Sequence, residues 1–101
     1  MVFDPTEDIT LEKAGSLVRN AAGRGNLIYS AHVKLRMRER GFSIHDVLFI
    51  LQHGKLTGKK FKEDHGNWTY TIQGQDLDGY DGRVITAIIS EQTLHVITVT
   101  G

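Results

Sequence analysis

Residues 30–54, SAHVKLRMRERGFSIHDVLFILQHG, decide the fold because they carry the start and end signals of two successive helices. Ser30 opens the first helix, and Gly41 ends it because glycine adopts the left-handed conformation at little cost. Ser43 and Asp46 have the spacing of a capping box that starts a second helix. The two predicted helices, which meet at a corner, are Ala31–Arg40 and a segment that runs to His53 and stops at Gly54.

The flanking segments supply the other layer of the fold. Residues 10–22 place apolar side chains at helical spacing, with Thr10 as the cap, and Leu27–Tyr29 reads as a short strand. After Lys55 the apolar period changes to that of a strand, and the continuous run 84–89 predicts a central strand covered on both faces. The predicted class is α+β: an N-terminal helix, a short strand, a helical corner, then an antiparallel β-meander of three to four strands with helices packed on one face.

The length of 101 residues allows one compact unit, in which residues 1–26 form a helical extension and residues 27–101 form the α+β domain. The chain has no cysteine, which excludes disulfides and thiolate metal sites. It also has no apolar run long enough to span a bilayer and no secretory signal at its start. We therefore expect a cytoplasmic protein that does not associate with membranes.

The formal net charge is zero, but the charges are unevenly distributed. Residues 27–62 contain eight Lys or Arg and two Asp or Glu, whereas residues 63–101 contain six acids and one base. This asymmetry favours an anionic partner for the middle segment. It is equally explained by basic and acidic surfaces that neutralise each other within the fold or across a dimer, so the oligomeric state stays open.

The helix 31–40 is the most informative element for function. Its apolar residues form two nearly opposite sectors, so burying both brings a charged side of the helix close to the body of the protein. His32 and Arg36 lie one turn apart on that side, with Arg40 one turn further on, while Lys34 lies on the other side. We therefore expect His32 and Arg36 to line a cleft or its rim.

His32 has the chemistry of a general base. It falls in the first helical turn, where the helix dipole disfavours the imidazolium form and leaves a neutral ring that accepts a proton. Arg36 and Arg40 have the donors to hold phosphate oxygens in the same groove. The alternative is that His32 packs under the sheet as a structural residue while Arg36 pairs with an acid from the second half of the chain.

A second group of basic residues is interleaved with aromatic ones. Lys59 and Lys60 precede Phe61, and Trp68 follows closely, a pattern typical of surfaces that track a phosphodiester backbone and stack bases. The predicted RNA-binding set consists of Lys59, Lys60 and Trp68 together with Arg40 and Lys34. The same lysines are also what an exposed edge strand carries to prevent strand-to-strand aggregation.

The sequence predicts neither a metal centre nor a cofactor. The five histidines show no zinc-ligand spacing, and only Glu63-Asp64-His65 offers a weak metal-binding group. The acidic run 76–81 begins like a calcium loop, but its glycine comes too early, so it is interpreted as a turn between two strands.

Several short motifs resemble a widespread bacterial family of uncharacterised domains. The matching features are Ser30-x-His32, Arg36-Met37, Arg40-Gly41 and a second helix that ends at Gly54, followed by Tyr70, Gly74, Asp81-Gly82-Arg83 and Ile97-Thr98-Val99. The resemblance runs from about Tyr29 to the C-terminus. Val33 departs from the pattern, because that family has a small residue after the histidine.

That family is grouped, by similarity of fold, with the RelE-like toxins of the barnase–colicin–RelE type, which cleave RNA without a metal ion. The resemblance implies helices on a curved antiparallel sheet, with the site in the concavity. It also implies a catalytic set of His32 and Arg36, assisted by Arg40, with Tyr70 and Thr98 from the sheet. His95, on the same predicted strand as Thr98, is a further residue that can face this side.

These observations lead to one hypothesis and two rivals. The hypothesis is a small ribonuclease-like toxin domain in which His32 activates a ribose 2′-OH and Arg36 neutralises the phosphate, restrained by a small antitoxin-like partner. The first rival is a non-catalytic module that binds RNA, DNA or an acidic protein and in which His32 is structural. The second is a structural dimer whose basic and acidic halves pair.

Overall fold

The computed structural model describes residues 3–24, 26–64 and 66–100, and within them the chain forms three helices and one five-stranded sheet. The helices are α1 (Leu11–Arg24), α2 (Ala31–Arg40) and α3 (Ile44–His53). The strands are β1 (Leu27–Tyr29), β2 (Lys55–Lys62), β3 (Asn67–Gln75), β4 (Asp81–Ser90) and β5 (Thr93–Thr100). The predicted α+β class is confirmed.

The helix boundaries follow the local signals in the sequence. The Ser30 hydroxyl accepts a hydrogen bond from the Val33 N–H at 3.1 Å, and Gly41 ends α2 with a φ of 73°. Ser43 and Asp46 form the reciprocal capping box at the start of α3. Helix α1 differs slightly from the prediction because it continues through Gly23 to Arg24; a single glycine in the last turn is a cost of only about 1 kcal/mol.

The sheet has the strand order β1-β5-β4-β3-β2. Strands β2 to β5 form the predicted antiparallel meander, and β1 pairs in parallel with β5 through Leu27–Leu94 and Tyr29–Val96. Strand β4 is central, as predicted, but helices cover only one of its faces rather than both. On the covered face lie Val84 and Ile88, while Ala87 points the other way and lies outside the hydrophobic core.

One hydrophobic core joins all three helices to the covered face of the sheet. Helix α1 contributes Ala14, Val18 and Ala21 to it, so the N-terminal helix shares a core with the strands rather than standing apart. Its main neighbours are α3 and β2. The remaining core residues come from Ile9, Phe42, α2, α3 and strands β3, β4 and β5. The largest fully buried side chains among them are Tyr70, Ile50, Leu51, Ile72, Ile88 and Leu94.

The end of α3 lies against β3 through two glycines. A Cβ atom at Gly54 would lie 2.6 Å from the Ile50 carbonyl oxygen and 2.7 Å from the Gln73 carbonyl oxygen. A Cβ atom at Gly74 would lie 3.0 Å from the Gly54 Cα. Backbone therefore meets backbone here, and the contact fixes where the helical corner sits on the sheet.

Asp46 links the start of α3 to the turn between β3 and β4. Its carboxylate accepts hydrogen bonds from the Ser43 N–H at 2.9 Å and from the Leu77 N–H at 3.0 Å. The bond from the Ser43 N–H is the largest influence, and with those from Leu77 and the Ser43 hydroxyl it lowers the pKa of the Asp46 carboxyl from its ordinary value of 3.8, against the opposing effect of burial.

We expect Asp46→Asn to remove a pH-dependent part of the stability. Because the folded-state pKa is lowered, the ionised carboxyl stabilises the fold fully above its ordinary pKa, and this contribution is lost as the pH falls through the lowered value. Urea unfolding from pH 7 to pH 3 should show the wild type more stable at neutral pH and the difference shrinking in acid. Asp78→Asn, at an exposed position of the same turn, is the control. A difference that stays constant with pH would contradict the assignment.

Candidate functional site

The side of the sheet that carries none of the three described helices is the candidate site, and we call it the open face. Alternate residues of β2 to β5 point toward it. They are Lys55, Lys60, Lys62, Asn67, Thr69, Thr71, Gln73, Arg83, Ile85, Ala87, His95, Thr98 and Thr100. The set is rich in cations, hydroxyls and amides, and the same alternation adds one acid, Asp81, at the start of β4. Its four cations, Lys55, Lys60, Lys62 and Arg83, outnumber this acid, so the net charge of the open face suits an anion.

The open face is concave. A cavity of about 480 Å³ is lined by Ser30, Lys62, Asp64, Asn67, His95 and Ile97, and we call it the His95 cavity. Ser30 directly follows β1, while Lys62 ends β2, and these two strands are the opposite edges of the sheet. Both edges can line one cavity only if the sheet curves inward. Consistently, Thr69 and Ala87 are buried in the middle of this face.

A second cavity lies at the other end of the open face. It has a volume of about 420 Å³, and we call it the Arg83 cavity. Its lining residues are Arg40, Gln73, Asp81, Gly82, Arg83 and Thr100. Two guanidinium groups, a hydroxyl and an amide provide donors that match phosphate oxygens, while the Asp81 carboxylate in the same lining opposes an anion.

Helix α2 forms the rim between the two cavities. Its cap, Ser30, lines the His95 cavity, and its last residue, Arg40, lines the Arg83 cavity. His32 and Arg36 lie between these ends on the same side of the helix as Arg40, because residues four apart share a face. Neither His32 nor Arg36 is among the residues that line the His95 cavity or the Arg83 cavity, so the expectation that they line a cleft stays a prediction.

The two rim residues differ in their surroundings. His32 is exposed, whereas Arg36 is half-buried and its Nε atom is buried without a hydrogen-bond partner in the described part of the chain. A buried donor that lacks a partner is costly unless something else accepts from it.

Thr98 and Tyr70 lie on opposite faces of the sheet. Thr98 is half-buried on the open face, next to the rim helix and between the two cavities. Tyr70 is 1% exposed in the core beneath the helices. Burial, together with the Asp8 carboxylate, raises the pKa of its hydroxyl. Of the two sheet residues, Thr98 is therefore on the open face, on the strand that α2 packs against, whereas Tyr70 is on the covered face.

Adjacent lysines of β2 also separate to opposite faces. Lys60 points to the open face, but Lys59 points to the covered face, where its ammonium binds the Asp8 carboxylate and donates to the Ile9 carbonyl oxygen at 3.0 Å. Trp68 pairs with the same N-terminal segment, since its indole N–H donates to the Thr6 carbonyl oxygen at 3.2 Å. Lys59 and Trp68 are thus engaged away from the candidate site.

Lys34 lies on the side of α2 away from the rim. It lines a groove between α2 and α3 together with Tyr29, Met37, Arg38, Phe42 and Ile44. Of the predicted RNA-binding residues, therefore, Arg40 and Lys60 face the open face or its cavities, whereas Lys34, Lys59 and Trp68 face elsewhere.

Sequence reasoning missed part of the site. Lys62, Asn67 and Arg83 line the cavities but were not assigned, and His95 was noted only as a residue that can face this side. The signal that finds them is the two-residue alternation counted from Ile72 and Val84, whose burial fixes which face is covered. Counted from those anchors, Asn67 and Arg83 fall on the open face. The pairing of Lys62 with Asn67 and of His95 with Ala87 places the other two residues there as well.

The described residues contain neither a cluster of metal-binding side chains nor a helix that could span a membrane. No group of three or more His, Asp and Glu side chains in residues 3–24, 26–64 and 66–100 lies close enough together to hold a metal ion; His65 falls outside these ranges. The helices of the same ranges are all too short or too polar to cross a membrane.

The comparisons with known proteins place most of this site within one family. Residues 29–100 match the family described as "Domain of unknown function (DUF4258)". The match begins in β1 and ends in β5, so it includes the rim helix and the whole meander, and α1 lies before it. No curated protein and no solved structure matches the chain.

Proposed function

The chain belongs to the DUF4258 family of domains of unknown function, and from its site we propose that it binds single-stranded RNA on the open face and cleaves it without a metal ion. The observation that carries the proposal is the concave open face, cationic along its length, with His32 and Arg36 on its rim. Proteins that hold single strands follow the phosphate backbone with a positively charged groove, and Lys60, Lys62 and Arg83 lie along such a groove on the open face. A small partner protein that covers the face would restrain the activity.

The reaction follows from the residues at the rim. The imidazole of His32 takes the proton of a ribose 2′-OH, and the 2′-oxygen forms a bond to the adjacent phosphorus. The bond from phosphorus to the 5′-oxygen breaks, and that oxygen takes a proton from solvent. Arg36 stabilises the negative charge that develops on the phosphate oxygens. The products are a 2′,3′-cyclic phosphate and a 5′-hydroxyl.

The remaining residues hold the substrate. Lys60 and Lys62 lie on one side of the concavity and Arg83 lies on the other. An RNA backbone that crosses the open face therefore passes cations on both sides of the concavity. Thr98 offers a hydroxyl between the two cavities. No metal has to generate the nucleophile, because the attacking oxygen is part of the RNA itself.

Cleavage is tested by incubating purified protein with a labelled single-stranded RNA in the presence of a chelator. We expect cutting that persists with the chelator and yields cyclic phosphate ends. The matched control is the same RNA with one 2′-deoxy nucleotide, which should resist cutting at that position alone. Cutting at the deoxy position, or complete inhibition by the chelator, would contradict the proposed chemistry.

A non-catalytic RNA-binding module is the second candidate, and the exposure of His32 favours it. A general base is usually held in orientation by a second group, and His32 has no hydrogen bond to another described residue. In this case the same incubation yields binding that weakens with salt and no cleavage.

The neighbouring lysines of β2 provide a matched test of the binding face. Lys60→Ala should weaken RNA binding severalfold and reduce the slope of log affinity against log salt by about 0.7, the value for one phosphate contact on a single strand. Lys59→Ala should leave both quantities unchanged and lower the stability instead, because Lys59 holds Asp8 on the covered face. Filter binding at several salt concentrations, with thermal unfolding alongside, measures both. Equal effects of the two changes on RNA binding would place the RNA elsewhere.

A further inference from the structure

The His95 cavity contains an ammonium and a carboxylate that are not paired with each other. Lys62 and Asp64 both line it, and neither has a side-chain hydrogen bond or ion pair with another described residue. Opposite charges that share a cavity without pairing are both available to a ligand. Such a ligand needs a donor edge for the carboxylate and an acceptor for the ammonium.

Two further features narrow the ligand to something flat and partly apolar. Ile97 and the ring of His95 give the cavity an apolar or stacking surface beside its polar groups. The volume of about 480 Å³ is within the range of small-molecule sites.

Among the four RNA bases, guanine fits this set of groups best. Its N1–H and exocyclic N2–H2 are adjacent donors that one carboxylate accepts together, and its O6 is an acceptor next to them. Adenine and cytosine present a ring-nitrogen lone pair where guanine presents N1–H, so a carboxylate would repel them. Uracil has a single N–H between two carbonyl oxygens, one of which would face the carboxylate.

We propose that the His95 cavity is a guanine-binding subsite, in which Asp64 accepts from the N1–H and N2–H2 groups and Lys62 donates to O6. The base lies against Ile97 and the His95 ring. This inference rests on the proposed function in one respect, since it assigns the cavity to a nucleotide of the bound RNA. It gives the cleavage a sequence preference for sites next to a guanosine.

Binding of mononucleotides tests the subsite without any cleavage. Calorimetric titration should show that guanosine monophosphate binds at least about tenfold more tightly than the adenosine, cytidine and uridine monophosphates. Inosine monophosphate, which lacks the exocyclic amine, should fall between them. Asp64→Asn should reduce the preference to within about twofold, and Asp78→Asn, which removes the same charge from the turn between β3 and β4, should leave it intact.

The outcomes separate this inference from the proposed cleavage. Equal binding of the guanine and adenine nucleotides, or a guanine preference that survives Asp64→Asn, overturns the subsite even if the protein cuts RNA. A guanine preference that Asp64→Asn removes supports the subsite even if no RNA is cut. The inosine comparison requires no substitution, so it remains decisive if the Asp64 variant folds poorly.

Discussion

Cleavage of single-stranded RNA is expected to fall about a thousandfold or more when His32 and Arg36 are both replaced by alanine. A positioned general base contributes roughly 10²- to 10⁴-fold, and a group that stabilises transition-state charge roughly 10²- to 10³-fold. Because the two residues act on one step, each single substitution should cost nearly as much as the pair. Initial rates of RNA cleavage measure all three variants.

The control for this pair is the double variant His45→Ala with Arg38→Ala. It removes one imidazole and one guanidinium from exposed positions that lie away from the rim, so it matches the change in charge and composition. It should cleave at nearly the wild-type rate. Circular dichroism would show that both double variants keep the fold. Undiminished cleavage in the His32 and Arg36 variant would reject the assignment of the site.

The largest effect on stability is expected for Gly54→Ala, with a loss of about 3 kcal/mol in the free energy of unfolding. The added methyl group meets the carbonyl oxygens of Ile50 and Gln73 and the Ile72 side chain, the last at 2.9 Å. Two of these three contacts are with backbone, which cannot rotate away as a side chain does. The helical corner or β3 therefore has to shift.

Gly23→Ala is the matched control, because an added methyl group there meets no atom within 4 Å. Its position in the last turn of α1 favours alanine, so a neutral or slightly stabilising change is expected. Urea unfolding of the two variants gives the comparison. Similar unfolding free energies for Gly54→Ala and the wild type would show that α3 and β3 can move apart at little cost in free energy.

The helical half of the fold was predictable because its signals are local. The hydroxyl of Ser43 and the carboxylate of Asp46 satisfy backbone groups within one turn, and Gly41 ends α2 through its own backbone conformation. Such signals act over three or four residues, so they can be identified without knowing the rest of the structure. Strand β1 and helices α2 and α3 were accordingly placed with the correct bounds.

The faces of the strands were not predictable in the same way. Alternation shows that Lys59 and Lys60 point in opposite directions, but only the packing of the helices decides which direction is covered. Tyr70 is the clearest example. The family resemblance implied that Tyr70 is a site residue. Its side chain shares a face with Ile72, however, and is therefore part of the core.

The cavities depend on contacts between distant parts of the chain. The His95 cavity exists because the curved sheet brings Ser30 close to Lys62, and no local pattern encodes that curvature. Likewise the N-terminal segment binds Trp68 and Lys59 across more than half the chain length. Sequence reasoning thus located the rim helix but not the surface that the rim encloses.

The dependence of α2 on β5 has a consequence for the order in which the protein is made. Helix α2 packs mainly on β5, which follows the three other long strands of the described chain, and β1 also pairs with β5. At about 5 to 20 residues per second, the ribosome adds β5 on the order of seconds after α2 has been completed. During this interval a nascent chain carries α2 without the strand on which the helix packs, so we expect α2 to dock only after β5 has been made.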